Sequence, residues 1–228
     1  KAVGHPTKQC YILTMNFTYA RSENSKKSLT LVEGLQSHFV AKLADATKST
    51  KEDFEPTSWL RDDGIHGGGQ RFGATDQKYF DRASVNVSQV NYDDLPDKPL
   101  GSATALSSIV HPAIPQAPSM HMHISWTEMK TGKGFWRIMA DLNPSIPTEP
   151  MKVEFDNCLK EISGSTYDKG TTEGDNYFFI PALKRHRGVS HFYLEGYNTG
   201  DFEKDFEFAQ EFGTKIIDCY TAIIKKVF

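Results

Sequence analysis

The chain has 228 residues, 38% of them hydrophobic and 24% charged, with a formal net charge of -3. These values suit one soluble globular domain able to bury its own core. They exclude a basic nucleic-acid footprint and any apolar run long enough to span a bilayer.

In chain order, residues 11–20 are β-branched and aromatic and predict a strand. From Ser28 the apolar positions Leu31, Leu35, Phe39 and Leu43 recur at helical spacing, with Ser28 as N-cap. Lys48 to Thr57 is a polar connector. Gly64-Ile65-His66-Gly67-Gly68-Gly69 is a mobile loop, since it fits neither a dinucleotide nor a Walker phosphate pattern. Strands are predicted near 78–90, 104–111, 120–129 and 134–142, and a helix near 149–163 with Val153, Leu159 and Ile162 inward. A Gly/Thr-rich turn follows at 170–174, then a short helix over DNYFFIPAL and a strand at 189–195. A long amphipathic helix from Asp201 ends the chain, burying Phe202, Phe206, Ala209, Ile216, Tyr220 and Ile223. Consecutive strands with short connections, bracketed by helices, predict an α+β fold in one domain over 1–228.

Function is expected between Trp59 and Pro144. Side chains alternate across a strand. Ser107 and His111 therefore share a face, as do His121, His123 and Ser125, and Arg137 and Asp141. If those strands pair in order, the three polar sets converge on a small-molecule pocket; a solvated outer face predicts the same alternation. Pro112, Pro115 and Pro118 stiffen the link that fixes His111 relative to His121. A triad of Ser107, His121 and Asp141 lacks a nucleophile elbow. A metal held by His111, His121 and His123 is not established by strand spacing, and no metal is assigned. Cys10, Cys158 and Cys219 are far apart and read as free thiols; one disulfide plus a spare is the alternative. Sequons at Asn16 and Asn86 point slightly toward secretion.

Several strings together resemble the oxygen-dependent coproporphyrinogen III oxidase family. They are Trp59-Leu60-Arg61 before a glycine run, Phe80-Asp81-Arg82-Ala83-Ser84-Val85-Asn86-Val87-Ser88, and Ser107-Ser108-Ile109-Val110-His111-Pro112. Asp141-Leu142-Asn143-Pro144, Tyr177-Phe178-Phe179-Ile180, Arg187-Gly188 and Glu195 follow in order. The resemblance implies a large antiparallel sheet flanked by helices on both sides, usually in a homodimer. It implies oxidative decarboxylation of two porphyrinogen propionates to vinyl groups by molecular oxygen, without a cofactor. Ser107 would contact substrate, and His111 would join the polar cluster with His121 as proton donor. Asp141 would face the pyrrole nitrogens, and Arg187 would pair a propionate.

Departures from the family fall in the pocket. Ser125 stands where the family has arginine, Arg137-Ile138-Met139 where it has three glycines, and Ala182-Leu183 where it has a His-Arg pair. Arg137 would return the charge lost at Ser125. Residues from Tyr11 to Arg21 resemble the family's last strand, which implies a circular permutation with 12–20 paired inside the main sheet. The reading favoured is a diverged, cofactor-free oxidase that uses oxygen on an electron-rich aromatic small molecule, a light-emitting oxidation being one such use. The alternatives are the family reaction itself and a non-catalytic binder of a tetrapyrrole or similar flat acid.

Overall fold

The computed structural model of the protein describes residues 17–48, 53–74 and 78–228. Seven strands form one antiparallel sheet in the order β1-β2-β3-β4-β5-β6-β9. These are β1 (Phe54–Leu60), β2 (Gly67–Ala74), β3 (Phe80–Asn91), β4 (Leu100–Pro112), β5 (Ser119–Met129), β6 (Gly134–Asn143) and β9 (Ser190–Tyr197). Four α-helices among the described residues complete the fold: α1 (Glu23–Ala46), α2 (Glu149–Ser163), α3 (Tyr167–Phe178) and α4 (Phe202–Lys225). Two-residue strands β7 (Phe179–Ile180) and β8 (Arg185–His186) pair with each other. The α+β expectation with a large antiparallel sheet and flanking helices holds.

One sheet face is apolar, carrying Val85, Leu106, Met122, Ile124, Trp136, Ile138 and Phe192, all buried. Helices α1 and α4 cover it. The Phe39 and Tyr220 rings meet edge-on, and Phe202 packs against Trp126 and Trp136. Helix α2 runs beside α4 with Phe155, Leu159 and Ile162 buried. Val153, expected inward, is 48% exposed, because Phe155 takes the place facing the core.

Other departures have local causes. The first helix begins a turn earlier than its apolar spacing suggests. Ser22 is the cap, its Oγ accepting from Ser25 N–H at 3.0 Å, and Ser28 is buried inside the helix. Strand β1 takes the last four residues of the expected polar connector; it is an edge strand with most side chains exposed, so it lacks the alternation that marks a half-buried strand. The second half of the expected glycine loop, Gly67 to Gly69, is the start of strand β2, while Ile65 and His66 form a turn. A Cβ at Gly69 would lie 2.8 Å from the Trp59 ring, so only glycine lets that indole cover the strand. The expected turn at 170–174 is the middle of α3, and DNYFFIPAL straddles its end and β7. Gly174 lets the helix touch strand β9, where a Cβ would stand 2.9 Å from His191 Cβ.

Residues 11–16, on which the first strand and the permuted placement mainly rest, lie outside the described residues. Thr18 N–H donates to Gly64 O and Ala20 N–H to the Gln89 side chain; residues 17–20 are not in a strand. Among the described residues no helix is long and apolar enough to cross a membrane.

Candidate active site

The opposite sheet face is polar, and its register draws the sequence-derived candidates together. Across adjacent strands Ile109, His121, Asp141 and His191 stand in one row. The next row holds Asn86, Ser107, His123, Met139 and Tyr193, and beyond it Ser125 faces Arg137. A cleft of about 240 Å³ lies over these rows. Ser107, His121, His123, Arg137 and Arg187 line it, with Tyr177, Phe178 and Tyr193 as an aromatic wall. Helix α3 supplies that wall by crossing edge strand β9: Tyr177 stacks on Tyr193 at 4.3 Å between centroids, and Phe178 on His191 at 5.0 Å.

The floor is a chain of hydrogen bonds. His111 Nε2 and His121 Nε2 are 3.0 Å apart, and His121 Nδ1 is 3.2 Å from Asp141 Oδ2. The same Asp141 oxygen accepts from Arg187 Nε at 2.9 Å and Nη2 at 2.8 Å. His191 Nε2 stands 3.4 Å from Asp141 Oδ1 and bonds to the Arg187 carbonyl, while its Nδ1 is 3.1 Å from Asp175 Oδ1. Gly188 makes room for this node. Its φ is +72°, and a Cβ there would lie 2.6 Å from Leu142 O and collide with Asp141 Oδ1.

The arrangement defines tautomers. A carboxylate can only accept, so His121 carries a proton on Nδ1 and its Nε2 is free to accept. The two Nε2 atoms then hold one proton between them, from His111 when His121 is neutral. Burial first, and the neighbouring His121 charge second, hold His111 below the ordinary histidine range. Asp141 has no exposed side-chain surface and does not line the cleft. The resemblance turns this carboxylate toward the pyrrole nitrogens; in the fold it sits behind His121, whose Nδ1 it holds by a hydrogen bond. Arg187 likewise gives two N–H groups to Asp141 and lays its guanidinium over the Phe178 ring at 4.5 Å. It faces a carboxylate of the protein first, and its remaining N–H groups border the cleft.

The side wall is wired separately. Arg137 makes a forked pair with Glu195, Nε to Oε2 at 2.8 Å and Nη2 to Oε1 at 2.7 Å. Tyr193 OH donates to the same carboxylate. Burial works to raise the Glu195 carboxyl, but the hydrogen bonds from Arg137 and Tyr193 outweigh it and leave the group below its usual value. Burial, then the Arg137 charge, lowers His123 to about 4, so it is neutral near pH 7. Its Nε2 lies 3.0 Å from Ser125 Oγ. His123 thus turns away from the His111–His121 pair. Among the described residues no three His, Cys, Asp or Glu side chains are grouped to hold a metal ion.

His191 and Tyr193 are site residues absent from the sequence-based candidates, and Glu195 appears there only as a point of resemblance. Their alternation in the strand at 189–195 was the available signal. Tyr177 and Phe178 were named only as part of a family string, and their place over the cleft was hidden because their segment was assigned to a short helix of its own.

The family model for coproporphyrinogen III oxidase matches residues 27–227. The chain belongs to this family. An oxygen-dependent coproporphyrinogen-III oxidase of Rickettsia bellii (strain RML369-C) is 30% identical over 186 residues, covering 75% of this chain and 65% of the relative. Enzymes of the same name from Rickettsia akari (strain Hartford) and Rickettsia rickettsii (strain Sheila Smith) are 30% and 29% identical with the same coverage. The chain therefore spans just under two thirds of the length of these curated relatives. The match takes in the whole stretch from Ser107 to Tyr193 that builds the cleft.

Proposed function

We propose that the chain is an oxygen-dependent oxidase of an electron-rich aromatic ring, with the His111–His121 pair managing the ring's proton. One observation carries this reading: His121 opens onto the cleft while its far nitrogen is anchored to a buried carboxylate. Electron-rich rings give up electrons to oxygen more readily once deprotonated. His121 Nε2 accepts the ring proton once the substrate displaces its hydrogen bond from His111, and Asp141 and Arg187 hold the imidazole in place as charge develops. Molecular oxygen is the oxidant. The cleft, at about 240 Å³, lies below the roughly 300–1,000 Å³ of drug-sized ligand pockets, so it accepts one ring and leaves the rest of a larger substrate outside. Both lining arginines already face carboxylates of the protein, which favours a substrate recognised chiefly by its ring.

A second reading, the family reaction on coproporphyrinogen III, is favoured by a different observation. Arg71 and Arg82 lie on the same polar sheet face, opposite Asn86 and His111, exposed and without an ion pair among the described residues. Strands are about 4.8 Å apart, so Arg71 stands roughly 14 Å from the His121 strand. An acidic macrocycle with one ring in the cleft would set its outer carboxylates on these guanidiniums.

The test is oxygen uptake in air with two substrates, coproporphyrinogen III and a monocyclic pyrrole propionate. Uptake with either, lost in His121→Gln, supports the oxidase. Vinyl porphyrin formed from the macrocycle selects the second reading. Binding of both without oxygen uptake makes the chain a binder and rejects the proposal.

A further inference from the structure

Two thiols distant in sequence meet on the side of the molecule formed by α2 and α4. The helices run antiparallel. Lys226 Nζ reaches Glu154 at 2.7 Å near one end of the seam, and Lys215 Nζ lies 3.8 Å from Glu161 near the other. Cys158 lies between the two glutamates and Cys219 between the two lysines, so the register sets one thiol against the other. Cys158 Sγ is 3.8 Å from the Lys215 carbonyl oxygen, and Cys219 follows Lys215 by one helical turn on the same stripe. Cys158 Sγ donates to that carbonyl, and both thiols are only partly buried.

We propose that Cys158 and Cys219 are a redox pair that closes to a disulfide by exchange with a small-molecule disulfide such as oxidised glutathione. The neighbouring Cys219 holds the Cys158 thiol below its ordinary value, while Cys158 and burial push Cys219 up, so Cys158 is the attacking group. Its thiolate attacks one glutathione sulfur, forming a mixed disulfide and releasing one glutathione thiolate. Cys219 loses its proton and attacks Cys158 Sγ, releasing the second glutathione. Two protein thiols are oxidised, and one glutathione disulfide is reduced to two thiols. The bond ties α2 to α4. Because α2 leads into α3, it also anchors the element whose Tyr177 and Phe178 wall the cleft.

The experiment uses the full chain with Cys10→Ser, which removes the third cysteine. It is equilibrated with oxidised glutathione, alkylated and digested. The expected product is lighter by two hydrogens, resists alkylation at both sites, and yields one cross-linked peptide pair joining α2 to α4. Its Tm rises by roughly 5–10 °C and returns on reduction. Cys158→Ser abolishes both changes. Should Cys10→Ser fold poorly, the unaltered chain is treated identically and only the α2–α4 cross-linked peptide is scored. Two alkylated thiols after full exchange overturn the proposal, as does a stable glutathione adduct at Cys158 with Cys219 still free. A cross-link that leaves Tm unchanged overturns its role as a tie between helices.

Discussion

The floor and the side wall of the cleft handle charge in opposite ways. On the floor, Asp141 is fully buried and its charge is answered by Arg187, with His121 and His191 beside it. On the wall, Arg137 and Glu195 form a forked pair that remains more than 40% exposed on both sides. A buried ion costs several kcal/mol when its partner is lost, whereas an exposed pair is worth roughly 0–1 kcal/mol. The floor is therefore bound to the stability of the sheet. The wall can change with little cost to folding.

If that contrast is right, floor variants lose chemistry or stability and wall variants change substrate preference. The largest effect is expected at His121. His121→Gln should lower the oxidation rate by roughly 10²–10⁴-fold, the usual range for one general acid–base group, with little change in KM. Steady-state oxygen uptake reads both constants. Asp141→Ala should destabilise the fold by about 1–3 kcal/mol, because it leaves the N–H donors of Arg187 and His121 without their acceptor. Urea denaturation measures that loss, and an Asp141→Ala protein with wild-type stability would break the contrast.

A pH titration examines the boundary between floor and wall. His123 is neutral in the folded chain down to about 4, while in the unfolded chain it takes up a proton below the ordinary value of 6.5. Its contribution is fully present above pH 6.5 and is lost as pH falls toward 4. The loss is up to about 3 kcal/mol. His123→Gln should flatten this part of the stability profile relative to wild type. The smallest effect is expected at Arg137. Arg137→Gly should shift stability by no more than about 1 kcal/mol while lowering KM for coproporphyrinogen III several-fold relative to the monocyclic pyrrole. Equal KM changes for both substrates would remove the wall from substrate choice.

Most of the sheet was legible from alternation. Strands β3 to β6 have one buried and one polar face, so the period-2 pattern announced both their limits and the row of His121 and Asp141. Strands β1 and β2 were missed for opposite reasons: one exposes most of its side chains, and the other begins with three glycines that display no pattern. Helix α3 was hidden because Gly170 and Gly174, which read as a turn, are its contact with β9. The candidate residues were correctly gathered on one face, but depth across that face does not follow from alternation. Nothing in the spacing separates the buried Asp141 from the cleft-facing His121, since that difference depends on Arg187 and Gly188, more than 40 residues further along the chain.

The most direct measurement is oxygen consumption on adding coproporphyrinogen III in air, wild type beside His121→Gln. The expected result is uptake by the wild type that falls at least about a hundredfold in the variant. Equal uptake by both proteins, or none by the wild type with either the macrocycle or the monocyclic pyrrole, would contradict an oxidase built on the His111–His121 pair.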